Sequence, residues 1–249
     1  MPYGQDQVIE ALAAANKNLV VVNISGNAVA MPWVKKVPAI VQGWFIGSEA
    51  GTALASVLVG DVNPSGKLPF TWPESLNDVG AHRLNAYPGV KRAGEEVWDL
   101  EYKEGLYVGY RGVDHFKTKP TFAFGHGLSY TTFELGKPAA SAKSIAPSDS
   151  ITFTVNVKNT GNRAGAEVVQ LYVSDLKSSL PRPVKELKGF KKVYLQPGES
   201  RDVSITIGGD ALSFYDDSKH CWVAEPGDFE ALLGTSSDRI ASKVRFTLR

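Results

Sequence analysis

The apolar residues of this chain keep two different periods, and that change constrains its fold more than any other feature. From about residue 150 onward the period is two. "SITFTVNVKN" alternates Ile151, Phe153, Val155 and Val157, and "AEVVQLYVSD" alternates Val169, Leu171 and Val173. "KKVYLQPGESRDVSITI" reads as strand, Pro-Gly turn and strand, "WVAEPGDFEALLG" repeats that scheme, and "KVRFTLR" closes the series. About seven short strands in ~100 residues predict an antiparallel β-sandwich. Cys221 is the only cysteine, so no internal disulfide can form, and a fibronectin-type sandwich is expected in place of an immunoglobulin domain.

The first ~75 residues alternate helix and strand signals. Val8, Ile9, Leu12 and Ala13 fall at helical spacing. "NLVVVNISG" and "VPAIVQGW" are short β-branched runs of the kind buried on both faces. "SEAGTALASVLVG" reads as a helix with Ser48 as N-cap, Glu49 in the first turn and Gly60 as stop. "GKLPFTW" is the expected third strand, with Pro69 placing it near an edge or a bulge. The order helix, strand, strand, helix, strand predicts an α/β domain built on a largely parallel sheet.

Residues from about 73 to 135 are rich in Gly, Pro and aromatics and carry little periodicity. So many Tyr and Phe predict an ordered, extended segment lying over other surfaces. "GKPAASAKSIAPSDS" is small and polar and marks a boundary. The expected domains are therefore 1–135, including the aromatic-rich segment, and 136–249.

Charge and motifs exclude several functions. Lys+Arg 27 against Asp+Glu 26 leaves a net charge of +1, which does not suit an electrostatic nucleic-acid binder or a polybasic membrane-surface protein. No apolar run approaches the ~18–20 residues of a membrane-spanning helix, and no signal peptide is recognisable at the start. The four histidines, His82, His115, His126 and His220, stand near no G-x-S-x-G elbow, and His126 in "FGHGLSY" reads as a packing residue. No metal-ligand spacing, P-loop or dinucleotide fingerprint occurs, so neither metal nor cofactor is expected.

Glu49 is the acid in the most telling position. It follows a buried strand and opens a helix, and open α/β sheets bind ligands outside the carboxyl ends of their strands. The simpler reading is a first-turn acid complementing the helix dipole. Asp61 reads as a turn residue, and Glu101 and Glu104 as surface or interface acids. Glycoside hydrolysis needs two carboxylates facing one bond, and spacing assembles no such pair here. Trp33, Trp44, Trp72, Trp98 and Trp222 could stack on sugar rings. Packing is the expected role for Trp44, Trp72 and Trp222, while Trp33 and Trp98, in loop-like stretches, are expected to be the more exposed.

Longer motifs carry a resemblance. "AIVQGWFIGSEAGTALASVLVGDVNPSGKLPFTWP" resembles the α/β-sandwich domain of glycoside hydrolase family 3. "YKEGLYVGYRGVD" and "FAFGHGLSYTTFE" resemble that family's link into its third domain. "EVVQLYVSD", "PRPVKELKGFKKVYLQPGES" and "WVAEPGDFEALLGTSSD" resemble its fibronectin-III-like C-terminal domain. The resemblance implies a retaining exo-acting β-glucosidase or β-xylosidase whose N-terminal (β/α)8-like barrel supplies the nucleophile. The family's acid/base glutamate often sits in an "E-G-x-D-R" loop just before the helix that "MPYGQDQVIEAL" matches. The stretch thus reads as a cut, with loop and barrel upstream of it.

The resemblance therefore implies no catalytic residue in this chain. Glu49 matches the glutamate of the family's "P-G-Q-E-G" turn, where Ile46 replaces proline and Ser48 replaces glutamine. Glu49, Trp44 and Trp33 are kept as substrate-contacting or domain-interface residues. The implied partners are the barrel and β-linked glucoside or xyloside oligosaccharides. A non-catalytic carbohydrate-binding or interaction module, or one half of a split glycosidase, are the alternatives.

Overall fold

The structure is a computed structural model and describes residues 1–249. The chain forms two compact units, one of residues 1–62, 72–101 and 119–122, the other of residues 63–71, 102–118 and 123–249.

The first unit is α/β. Helix α1 (Gln5–Ala15) leads into strand β1 (Val20–Asn23), which pairs in parallel with β2 (Ala39–Gln42), Val20 opposite Ala39 and Asn23 opposite Gln42. Helix α2 (Ala50–Val59) follows, then a short helix α3 (Gly80–Arg83) and a small antiparallel hairpin of β3 (Val90–Lys91) and β4 (Trp98–Asp99). Helix α2 ends where the sequence predicts. Gly60 takes φ 85°, a left-handed conformation that costs glycine little, and its N–H donates to Val57 O. The N-cap falls one residue later than expected, at Glu49, with no side-chain bond to the helix.

Neither long helix of this unit buries a residue. That is unusual for α2, whose sequence AGTALASVLV is almost wholly apolar and would normally face a core. Val8 and Leu12 on α1, and Leu58 and Val59 on α2, all face solvent.

"GKLPFTW" does not become a third strand of the parallel sheet. Pro69 lacks an N–H, and the neighbouring main-chain groups bond instead to residues 121–126. Leu68 N donates to His126 O at 2.8 Å, and Gly125 N donates to Leu68 O at 2.8 Å. Trp72 forms a single antiparallel bridge with Phe122.

The second unit is the β-sandwich. Helix α4 (Tyr110–Phe116) precedes three short strands, β5 (Phe133–Leu135), β6 (Ala139–Ala140) and β7 (Ser144–Ile145). Then come β8 (Ser150–Asn159), β9 (Gly165–Asp175), β10 (Glu186–Leu195) and β11 (Ser200–Gly208). The last strands are β12 (Phe214–Asp216), β13 (Cys221–Val223), β14 (Gly227–Gly234) and β15 (Ile240–Leu248). One sheet has the order β10-β9-β14-β15-β7, and the other the order β11-β8-β5, with β6 also pairing to β8. The first strand of the sandwich is thus split, β5 and β6 serving one sheet and β7 the other.

The period of two places Ile151, Phe153, Val155 and Val157 of β8 against Leu171, Val173, Leu233 and Phe246 from the facing sheet. Phe246 meets Phe153 edge-on at 5.3 Å and stacks on Phe229 at 5.7 Å. Asn159 ends the β8 row with no solvent exposure. Its amide is fully used: Nδ2 donates to Arg163 O and Leu195 O, and Oδ1 accepts from Thr131 Oγ1 and Gly161 N.

The aromatic segment packs against the sandwich from Tyr110 onward, whereas residues 90–103 are all exposed. Tyr110 stacks on Phe124 at 5.0 Å, meets Tyr172 edge-on at 5.8 Å, and accepts a bond from Leu187 N at 2.8 Å. Arg111 pairs with Glu186 and Asp114 with Lys185. The segment covers the outer face of β9, so Tyr172 and Gln170 are buried although they point away from the sandwich core. Tyr172 donates to Gln170 Oε1, and Gln170 Nε2 donates to Thr235 O and Gly125 O. Burial pushes the Tyr172 phenol well above its ordinary range, so it stays a donor at any working pH.

Candidate functional site at the carboxyl ends of β1 and β2

Both parallel strands are apolar until their last residue, which carries an amide. Asn23 Nδ2 donates to Gln42 Oε1 at 2.6 Å and to Ser25 Oγ at 2.9 Å. Gln42 Nε2 donates to Ser25 O at 3.1 Å, and Ser25 Oγ donates to Asn27 O at 2.8 Å. Gly43 N donates to Asn23 O at 2.9 Å. Because Asn23 is buried, these bonds tie the two loops firmly together.

Packing makes the same join. A side chain at Gly43 would meet Ile24 Cδ1 at 2.5 Å, and one at Gly26 would meet the Phe45 ring at 2.7 Å. Beyond Gly43 the chain turns sharply, with Trp44 at φ 53° and Gly47 at φ 74°. Trp44 is half-buried with its ring 6.2 Å from that of Trp72. Trp72 is buried and donates from Nε1 to Val29 O at 2.8 Å. The loop then rises out of the fold: Phe45 is 81% exposed and Glu49 is exposed.

Of the three residues singled out from sequence, Glu49 and Trp44 thus share one loop at the carboxyl end of β2. Trp33 lies apart, in the connection between β1 and β2. It is fully buried, and its Nε1 donates to Asp6 Oδ1 of α1 at 2.8 Å. Expected to be among the more exposed tryptophans, it is instead a packing residue that holds α1, because its indole N–H has an acid to reach. Trp222 departs in the opposite direction and is 71% exposed. Asn23, Ser25 and Gln42 were not legible as a group. Their only signal is that polar amides end two apolar runs.

Chemically, the loop offers one carboxylate beside an exposed phenylalanine, braced from behind by two tryptophans. A single carboxylate can accept hydrogen bonds or pair with a cation, but double displacement at a sugar requires two. His126, in the other unit, is held below its ordinary pKa by burial, with Arg239 and Lys67 adding to the effect and Asp238 opposing it. No three His, Cys, Asp or Glu side chains converge as metal ligands would, and no helix is long and apolar enough to cross a membrane.

Comparison with known proteins places this architecture. Residues 1–110 match the glycosyl hydrolase family 3 C-terminal domain, and residues 167–237 match the fibronectin type III-like domain. An α/β unit of this kind followed by a fibronectin-type sandwich defines the class, the C-terminal domain pair of a glycoside hydrolase. The chain is similar to the C-terminal part of family 3 glycoside hydrolases, and its residues 1–110 match that family's C-terminal domain. Beta-glucosidase BoGH3A of Bacteroides ovatus is 51% identical over 99% of this chain, which spans 32% of that protein. Thermostable beta-glucosidase B of Acetivibrio thermocellus is 45% identical over 98% of this chain, which spans 31% of it. Among solved structures, the Kluyveromyces marxianus beta-glucosidase in complex with glucose superposes with a TM-score of 0.90 at 42% identity, covering 100% of this chain and 29% of that one. The chain thus spans about a third of the length of the relatives it matches.

Proposed function

We propose that these 249 residues are the α/β and fibronectin-type portion of a retaining, exo-acting β-glycosidase of the β-glucosidase or β-xylosidase type. The observation that carries this reading is the collinear match of 98–99% of the chain to proteins named beta-glucosidases, in each of which the matching stretch is part of one longer chain. The unburied apolar helices α1 and α2 support it, since such faces require a covering layer. In this reading the cover is a barrel carried by polypeptide outside these residues. The parallel pair β1–β2 belongs to a larger parallel sheet.

The chemistry would be double displacement on a β-linked glucoside or xyloside. A barrel aspartate attacks the anomeric carbon while a glutamate on the loop leading into α1 protonates the departing oxygen, then takes a proton from water. The present chain contributes position. Trp33 fixes α1 through Asp6, which sets where that loop ends, and the braced β2–α2 loop brings Glu49 and Trp44 to the substrate or to the barrel.

The test is turnover of aryl β-glucosides and β-xylosides. The 249 residues alone should show none, and a polypeptide that also contains the barrel should be active. Turnover by these residues alone that survives repurification would overturn the proposal.

A further inference from the structure

We propose that the β12–β13 hairpin of the sandwich unit is a carbohydrate-binding surface that stacks pyranose rings of a neutral, β-linked oligosaccharide on Trp222 and Tyr215. The choice of a sugar rests on the glycosidase reading above; the surface itself rests on the hairpin's geometry.

The two rings stand directly opposite one another, because Tyr215 pairs with Trp222 in the hairpin register. Strand alternation turns the neighbours of Tyr215 away from it: Phe214 lies under the Arg182 guanidinium at 5.6 Å, and Asp216 is buried. Tyr215 and Trp222 therefore point out, 50% and 71% exposed. Their centroids are 5.7 Å apart and their planes meet at 72°, so they form an open corner. The turn beneath them is rigid. Asp216 accepts from Ser218 N at 3.0 Å, from Ser218 Oγ at 2.6 Å and from Lys219 N at 3.3 Å, and it pairs with Lys219 Nζ at 2.8 Å. The aromatic corner is thus held in place before any ligand arrives.

Size and charge select the occupant. Two aromatic rings bury roughly 150–250 Å² each, far less than the ~800 Å² per partner of a stable protein interface. The hairpin's turn carries Asp217 and Lys219, and Glu225, just beyond β13, is fixed by bonds from Ser179 N and Oγ. An apolar floor with a few fixed polar groups at its edge is the pattern of a small-ligand site. The rim carries both signs of charge, which disfavours a strongly anionic ligand. A β-gluco- or β-xylopyranose fits. Its substituents are equatorial, so its two faces present C–H bonds to the negative face of a π system, while its hydroxyls reach the rim.

The experiment is calorimetry of the full 249-residue chain with cellotetraose and xylotetraose. Trp222→Ala should lower the affinity at least about tenfold, Trp222→Phe should retain part of it, and Trp98→Ala, which alters an exposed tryptophan of the other unit, should leave it unchanged. Circular dichroism checks that each variant keeps the wild-type fold. If Trp222→Ala does not fold, Trp222→Phe and the wild type decide the matter by the same calorimetry. No heat from either sugar, equal binding by both Trp222 variants and wild type, or binding of choline in place of sugar would each overturn the proposal. So would a change of Trp222→Ala from self-associated to monomeric in sedimentation with sugar binding unaltered. Calorimetry needs no turnover, so binding without hydrolysis by a barrel-containing polypeptide would sink only the glycosidase reading. Hydrolysis without binding here would sink only this one.

Discussion

Replacing Arg182 with methionine tests whether the ion-pair network beside α4 holds the sandwich together. Arg182 is only 8% exposed and bonds to Asp175 at 3.1 Å, Glu186 at 2.7 Å and Leu212 O at 2.8 Å. Methionine fills most of the volume but takes one cation from each carboxylate. Breaking a buried pair by removing one partner costs about 3–5 kcal/mol. Glu186 keeps Arg111 at 3.1 Å and Lys188 at 3.5 Å, whereas Asp175, itself 5% exposed, loses its ion-pair partner. The low end, about 3 kcal/mol, is therefore expected, equivalent to a Tm drop of about 6–12 °C in a chain of this size. Scanning calorimetry at neutral pH measures it.

The pH dependence sharpens the test. Burial pushes the Glu186 carboxyl up, but the Arg182 hydrogen bond and the charges of Lys188, Arg182 and Arg111 outweigh it and hold the pKa below its ordinary value. A carboxyl held low stabilises the fold above its unfolded pKa, about 4.3, and that contribution is lost as pH falls through the folded value. Without Arg182, burial regains ground, the folded pKa rises, and less stability is left for acid to remove. The gap in Tm between wild type and Arg182→Met should narrow from pH 7 to about pH 4. A neutral-pH shift below about 2 °C would mean that the network acts like a solvent-screened surface pair, and a gap that widens in acid would refute the reasoning.

Asn159→Ala should cost about 3 kcal/mol in denaturant titration, because it removes four hydrogen bonds, two of them buried, and leaves two carbonyls without that donor. Glu49→Gln, introduced into a barrel-containing polypeptide, should lower kcat less than about tenfold, since loss of a general acid/base costs about 10²–10⁴. A larger loss in that steady-state assay would make Glu49 part of the chemistry. Paired Leu12→Lys and Val59→Lys changes on the unburied helix faces should raise the monomer fraction of the isolated chain in sedimentation velocity, and should weaken its association with a separately made barrel.

The sandwich was legible because its core rows alternate within single strands, as Ile151, Phe153, Val155 and Val157 do. The alternation fails in β9, where residues from Val169 through Val173 are all buried. Gln170 and Tyr172 are covered by Tyr110, Phe124 and Gly125, and no local pattern announces a cover that lies so far away in the chain. The same limit hid the loop beside Glu49. Its position after a strand could be read, but the bond from Asn23 to Gln42 depends on strand register. "GKLPFTW" has the composition of a strand, yet Pro69 and the reach of residues 121–126 decided its partners. Trp33 and Trp222 exchanged their expected exposures because burial of an indole follows from what its N–H can find, and Asp6 was out of sequence range.

The chain passes between its two units five times, at 62/63, 71/72, 101/102, 118/119 and 122/123. A protease that cuts at any one of these passages leaves two pieces that share no covalent bond, and at least one unit is then held together only by its own packing. For the same reason no contiguous fragment equals either unit. A sandwich excised from residue 136 onward would lose Asn63, whose Nδ2 donates to Ala164 O, and the aromatic cover over Tyr172, leaving a wet hydroxyl and an unsealed sheet face. Sensitivity to a single nick and intolerance of excision are two readings of one braid.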